Sequence, residues 1–249
     1  MKYIASCSFG KDSLAAIIIR MEHNEPVDGA VYCRIMFDDN ISAELPEHEA
    51  FIHEKAIPLL KSRYGIETQV VQAKRTYLQQ FYTKYKDGAK AGHFYGFPLR
   101  KGPWCNNLLK LSPIKTYEKS IGKHLSMVGI AADETRRIPQ QLAKGNILPL
   151  VDCGITEAQA FQICRKHDLL SPAYNGERFR LGCWFCHNQR ISELRRLRHD
   201  YPELWGKLLN IDKDSHLSFK PDHTLQYFEN RFSCEISEFM DIEVAEVTK

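Results

Sequence analysis

Short apolar runs alternate with helical patterns over the first two-thirds of the chain. Lys2–Cys7 reads as a short buried strand. Ser8–Ser13 follows as a polar loop with Gly10 in a tight turn, and Leu14–Met21 reads as a helix buried on most sides. Gly29–Phe37 is a second strand, closed by the acidic pair Asp38 and Asp39. Pro46 suits a first helical position, with Glu47 and Glu49 favourable in the first turn. That helix runs to about Tyr64 and stops at Gly65, with Pro58 expected to kink or split it. Ile66–Gln72, Leu125–Ala131 and Ile147–Val151 are the third, fourth and fifth strands. Thr156 and Gln159 form a capping box ahead of a helix over Glu157–His167, and Ile191–Leu209 is amphipathic and helical. Thr76–Trp104 breaks the rhythm: it is rich in aromatic residues, Gly and Lys, and reads as a helix followed by a long loop. The alternation predicts an α/β fold, a mostly parallel sheet with helices on both faces. Its expected boundaries are 1–170 for the α/β domain and 171–249 for a C-terminal helical portion with a Cys-rich insert.

Composition narrows the classes. A chain of 249 residues, 43% apolar and 26% charged, is neither disordered, collagenous nor membrane-embedded. Its longest strongly apolar run, Leu14–Ile19, is far shorter than the roughly 20 residues of a spanning helix. No secretory pattern opens the chain, so no membrane partner and a cytoplasmic location are expected. A net charge of +3 permits an anionic partner without demanding one. In that setting the 8 Cys read as core residues, metal ligands or redox thiols rather than as a disulfide framework.

Candidate chemistry concentrates in Ser8-Phe9-Gly10-Lys11-Asp12-Ser13. The loop lies between a strand and a helix, where open α/β sheets bind ligands. Gly10 lets successive amides converge, the helix N-terminus adds partial positive charge, Lys11 adds a full one, and Ser8 and Ser13 offer hydroxyls. This is an anion cradle for a polyphosphate. Asp12 would suit a Mg²⁺ held against the phosphates. The loop is not a Walker A motif, since position 5 is Ala where that motif needs Gly. An ordinary strand-to-helix turn capped by Asp12 or Ser13 is the plainer alternative.

The same six residues resemble the PP-loop of the ATP pyrophosphatase superfamily, with Phe9 in place of the usual first Gly. Ala43-Glu-Leu-Pro-Glu47 is similar to the Phe-Pro-Glu segment of its phosphoadenosine phosphosulfate (PAPS) reductase-like branch. Gly129-Ile-Ala-Ala-Asp-Glu-Thr-Arg136 is similar to that branch's Gly-Ile-Arg-x-Asp-Glu motif, with Ala131 where the branch has Arg. The resemblance covers residues 1–190. It implies a Rossmann-like, adenine nucleotide alpha hydrolase-like fold and cleavage of ATP between the α and β phosphates, with adenylation of a substrate oxygen. It implies nucleotide contacts at Ser8, Phe9, Gly10, Lys11, Asp12, Ser13, Asp38, Gly129 and Asp133, and catalytic roles for Lys11, Asp12 and Arg136. Arg137 and Arg180 are weaker candidates for the same face.

Cys183-Trp-Phe-Cys186-His187 has the spacing with which two thiolates grip one metal, and Cys105 lies upstream. The pattern resembles the iron–sulfur members of the PAPS reductase-like branch, with Trp104 where a second adjacent Cys is expected. It implies Cys105, Cys183 and Cys186 as ligands, with His187, Cys153, Cys164 or nothing as the fourth. A 4Fe–4S cluster with one open iron, a structural Zn²⁺ and a plain thiol pair all remain open. Cys7, Cys33 and Cys164 read as core. Cys234 lies in Phe-Ser-Cys-Glu-Ile, unlike the Glu-Cys-Gly-Leu-His motif of classical PAPS reductases.

Arg190, Arg195, Arg196, Arg198 and His199 make a basic helix next to Trp184 and Phe185, suited either to a nucleic-acid backbone or, given Glu193, Asp200 and Glu203, to a solvated face. His23, His48, His53, His93, His124 and His223 read as structural or surface residues. The expected function is ATP-dependent adenylyl transfer coupled to sulfur transfer onto a nucleic-acid or small-molecule acceptor, with a sulfur donor protein as a partner and a homodimer as one compatible assembly. Alternatives are an adenosine phosphosulfate or PAPS reductase, and a non-catalytic, zinc-stabilised nucleic-acid-binding module.

Overall fold

The computed structural model describes residues 1–98, 103–174 and 181–235. Four strands, β1 (Lys2–Ser6), β2 (Gly29–Cys33), β3 (Thr68–Val71) and β4 (His124–Val128), form one parallel sheet in the order β3-β2-β1-β4. Ile4 aligns with Gly29 on one side of β1, and Lys2 aligns with His124 on the other. The order therefore reverses beside β1: the chain first builds outward through β2 and β3, then returns to place β4 on the opposite edge. The loops after β1 and β4 flank that switch point, where open α/β sheets form their ligand crevice.

Side-chain alternation splits the core between the two faces of the sheet. On one face Ala5, Cys7, Ala30, Tyr32 and Met127 pack with α1 (Lys11–Glu22), α3 (Ile57–Tyr64) and α8 (Glu157–Lys166). On the other, Ile4, Val31 and Cys33 meet Ile114, Tyr117 and Ile121 of α5 (Ser112–Ile121). Leu14–Ile19 of α1 is buried all round. Each large side chain in that run contributes about 1.5–3 kcal/mol by leaving water.

The fifth expected strand is a correction. Ile147 makes a single parallel bridge to Met127, and Pro149–Asp152 is a short helix, α7. Pro149 has no N–H to continue a ladder and its fixed φ suits a first helical position. The expected break at Pro58 takes a specific form. The helix runs as α2 (Pro46–Ala50), widens to a π-helical stretch over Phe51–Ala56, and resumes as α3, closed by Gly65 at φ 67°. A second π-helical stretch, Cys105–Leu111, precedes Pro113 in α5 in the same manner. The wider turns absorb the hydrogen bonds that a proline cannot donate.

The chain forms two compact units that interleave in sequence, whereas the chain-order reading expected a single cut at 170. The first unit comprises residues 1–77 and 104–183 and holds the sheet. The second comprises 78–103 and 184–249. In the second, Phe81, Phe97 and Phe219 pack edge to face at 5.3 and 5.1 Å, which draws the aromatic segment after residue 77 into this unit's own core. Helices α9 (Ile191–Asp200) and α10 (Pro202–Asp212) and a helix over 225–235 complete it. Among the described residues no helix is long and apolar enough to cross a membrane.

Candidate functional site

The loop after β1 is shaped by its backbone. Cys7 N–H still bonds the Val31 carbonyl at 3.0 Å, one residue past the strand, and Phe9 then turns into the left-handed region at φ 58°. A side chain in that region costs about 1–2 kcal/mol relative to Gly. The Phe9 ring is fully buried edge-on against Tyr32 at 5.3 Å, and this burial offsets the strain. The residue that departs from the resembled loop thus occupies a position whose conformation favours Gly.

Gly10 caps α1, whose first intrahelical bond is Leu14 N–H to the Gly10 carbonyl at 3.2 Å. Helix geometry leaves the amides of Lys11, Asp12 and Ser13 without intrahelical acceptors. The Lys11 amide donates to the Tyr174 hydroxyl at 2.9 Å, and Ser13 Oγ donates to the Gly10 carbonyl at 2.9 Å. Cys164 Sγ donates to the Lys11 carbonyl at 3.1 Å from beneath.

Lys11 is buried, and its ammonium lies 2.9 Å from Asp12 and 2.8 Å from Glu157. Burial disfavours that charge, but hydrogen bonds and attraction from Glu157 and Asp12 outweigh it and hold the Lys11 pKa above its ordinary value. Asp12 is also shifted up: burial, together with repulsion from Glu157 and Glu134, outweighs the hydrogen bond and attraction of Lys11. The site therefore holds one ammonium among carboxylates that outnumber it. Two carboxylates, completed by ligand oxygens, form a donor set of the kind Mg²⁺ takes.

The exit of β4 closes against this loop. A Cβ on Gly129 would fall 2.4 Å from the Asp12 carbonyl oxygen and 2.5 Å from Ser13 N, so only glycine lets β4 meet the start of α1. Asp133 accepts the Glu157 amide at 3.0 Å, which fixes the N-terminus of α8 and with it the Glu157 side chain. Arg136 is exposed on the same exit loop, and Arg137 pairs with Glu134. Asp38 accepts the amides of Asn40 at 2.9 Å and Ile41 at 2.8 Å, in the turn after β2. Arg180 lies outside the described residues.

His48 is buried in α2 and neutral. Burial pushes it down to about 4, against a hydrogen bond to the backbone of Ser8. Its Nδ1 meets Ser171 Oγ at 2.9 Å. Its Nε2 lies 3.9 Å from Glu44, whose own burial raises that carboxyl to about 7. Among the expected residues, the structure brings together Gly10, Lys11, Asp12, Ser13, Gly129 and Asp133. It adds Glu157, Tyr174 and His48, which the sequence reading missed. Glu157 carried a signal, as the first residue after a capping box. Tyr174 and His48 carried none, because their partners are distant in sequence.

The cysteines divide by environment. Cys7, Cys33 and Cys164 are core residues, and burial raises each thiol, Cys7 and Cys33 to about 11 and Cys164 to about 12. Cys105 opens a π-helical stretch in the first unit, and Cys183 ends that unit. In the second, Trp184 and Phe185 are buried edge to face, and Lys220 Nζ donates to the carbonyls of His187 and Gln189. Among the described residues no group of three His, Cys, Asp or Glu side chains stands ready to hold a metal ion. Cys234 is exposed on the helix over 225–235.

The arginines of α9 are engaged internally. Arg195 meets Glu235 at 2.9 Å, Arg198 meets Glu229 at 2.8 Å, and Arg196 lies 3.5 Å from Asp200.

No protein-family model matches the chain. It is similar to the uncharacterized protein MJ0066 of Methanocaldococcus jannaschii, at 24% identity over 219 residues, which is 82% of this chain and 40% of that protein. It is also similar to the uncharacterized protein MJ0973 of the same organism, at 26% identity over 127 residues, covering 47% of this chain and 31% of that protein. The chain spans less than half the length of these relatives.

Proposed function

We propose that the first unit is a PP-loop ATP pyrophosphatase of Rossmann-like, adenine nucleotide alpha hydrolase-like type, resembling the PAPS reductase-like branch, which transfers adenylyl from ATP and releases pyrophosphate. One observation carries this reading: a buried lysine ammonium, shared by two carboxylates, sits at the start of a helix at the sheet's switch point. An ordinary turn has no need for a buried ammonium, whose desolvation must be offset by its partners.

In this mechanism the triphosphate lies along Ser8–Ser13. The acceptor oxygen attacks the α-phosphorus, and the bond from that phosphorus to the bridging oxygen of pyrophosphate breaks. Lys11 exchanges its carboxylate partners for phosphate and stabilises the charge that develops on pyrophosphate. Asp12 and Glu157 would hold Mg²⁺, which supplies charge neutralisation to the phosphates when bound. Arg136, exposed on the exit loop, is the residue we propose to bind the nucleotide or acceptor anion.

The adenylated oxygen becomes a good leaving group, and sulfur transfer onto a nucleic-acid or small-molecule acceptor is the reaction we propose it feeds. The expectation of a 4Fe–4S cluster or Zn²⁺ on Cys105, Cys183, Cys186 and His187 rests on sequence spacing alone, and no step is routed through it. The test is pyrophosphate release from ATP and Mg²⁺ with candidate acceptors. The wild type should release it and Lys11→Ala should not. Equal release by both proteins would overturn the assignment.

A further inference from the structure

We propose that Tyr174 is a phosphate-binding residue: its hydroxyl accepts the Lys11 amide and presents its own proton to a phosphate oxygen. This inference rests on the nucleotide reading of the Ser8–Ser13 loop and names a ligand contact outside the motifs that suggested it.

The hydroxyl lies where the helix's first donor points, 2.9 Å from Lys11 N. A phenol oxygen can accept one hydrogen bond and still donate its single proton. Burial raises the phenol's pKa well above its ordinary value, so it remains a donor across the physiological range. Asp12 and Glu157 lie within electrostatic reach of the hydroxyl and push its pKa the same way. Accepting a bond from the helix amide polarises the O–H and strengthens its donation. Tyr174 would thus extend the helix N-terminus outward by one oxygen.

The side chain is held for this role. Gly10 leaves the space it needs, since a Cβ there would stand 3.3 Å from the Tyr174 hydroxyl. The ring packs edge-on against Phe161 at 5.9 Å. A tight turn fixes the backbone, with Ala173 N–H on Ser171 Oγ at 3.2 Å and Tyr174 N–H on the Ser171 carbonyl at 3.2 Å. Ser171 Oγ meets His48 Nδ1 at 2.9 Å. Hydrogen bonds thus run from His48 through Ser171 to the turn that carries Tyr174, whose hydroxyl meets the loop at Lys11. His48 and Ser171 act through Tyr174 and are positioning residues.

The experiment is calorimetric titration of the full chain with ATP, inorganic pyrophosphate and adenosine. In Tyr174→Phe, which keeps the ring, affinity for ATP and for pyrophosphate should fall by the same factor, about tenfold, the size of a hydrogen bond to a charged group. Adenosine affinity should not change. Ser171→Ala should weaken both phosphate ligands about threefold, and it serves as the readout if Tyr174→Phe fails to fold by circular dichroism. Unchanged affinity in a folded variant overturns the inference and leaves the nucleotide reading standing. Tighter pyrophosphate binding also overturns it, because the phenol would then compete with phosphate for the amide. A wild-type protein that binds neither ATP nor pyrophosphate overturns both.

Discussion

Two basic features stand out in this chain, and they differ in kind. In the first unit a single lysine is buried at a helix start and shared by two carboxylates. In the second, the arginines of α9 are several, half-buried or exposed, and engaged by Glu235, Glu229 and Asp200. Counting charge along the sequence favours the second as an anion site. Desolvation favours the first. A buried ammonium interacts strongly with whatever replaces its partners, whereas exposed pairs are screened and contribute little. The lesson is that the burial of one charge tells more than the number of charges on a face.

The largest effect that would sharpen this contrast is chemical. Lys11→Ala should lower pyrophosphate release by about a thousandfold, the upper range for loss of one electrostatic donor. Steady-state assays at saturating ATP check it, and a loss of less than tenfold would put the lysine outside the chemistry. Next in size is a steric test of the same place. Gly129→Ala sets a methyl against backbone atoms of Asp12 and Ser13, and backbone cannot swing aside as a side chain can. It should cost about 3 kcal/mol in urea unfolding, with loss of ATP binding.

A third prediction concerns pH. His48 titrates near its ordinary value of 6.5 when unfolded and at about 4 when folded, so the unfolded chain binds more protons between those values. Its contribution to stability is therefore present above 6.5 and lost as pH falls towards 4, at most about 3 kcal/mol. The Glu44 carboxyl, 3.9 Å away, works in the opposite direction: raised to about 7 by burial, it holds its proton in the folded chain across the same window, so its contribution grows as pH falls and offsets the His48 loss. Urea unfolding from pH 7 to 4.5 should therefore change little for the wild type, and Glu44→Gln should expose the full His48 loss. A Glu44→Gln variant as flat as the wild type would place the titration elsewhere.

The smallest effect belongs to α9. Arg195→Ala should change stability by under about 1 kcal/mol and leave pyrophosphate release within twofold of wild type. A large loss of activity there would erase the contrast between the two regions.

Much of the first unit was legible in the sequence because its signals are local. The strand, the Gly-Lys turn and the apolar helix after it all lie within residues 2–22, and the capping box at Thr156 formed as expected, with Gln159 N–H on Thr156 Oγ. The fifth strand failed for a local reason: Pro149 stands inside it. The site's depth was not legible. Tyr174 meets Lys11 across 163 positions, and His48 meets Ser171 across 123. No periodicity encodes such pairings. Phe9 looked like a departure from a glycine motif, and only its left-handed backbone and buried ring explain how it is tolerated. The interleaving of the two units was hidden as well, since Phe81 and Phe97 find Phe219 only after folding.

The most direct measurement is a crystal structure of the protein with ATP and Mg²⁺. The account predicts triphosphate density along Ser8–Ser13, with Lys11 Nζ moved from Glu157 onto a phosphate oxygen. A nucleotide bound elsewhere, or a Lys11–Glu157 pair left intact beside it, would contradict it.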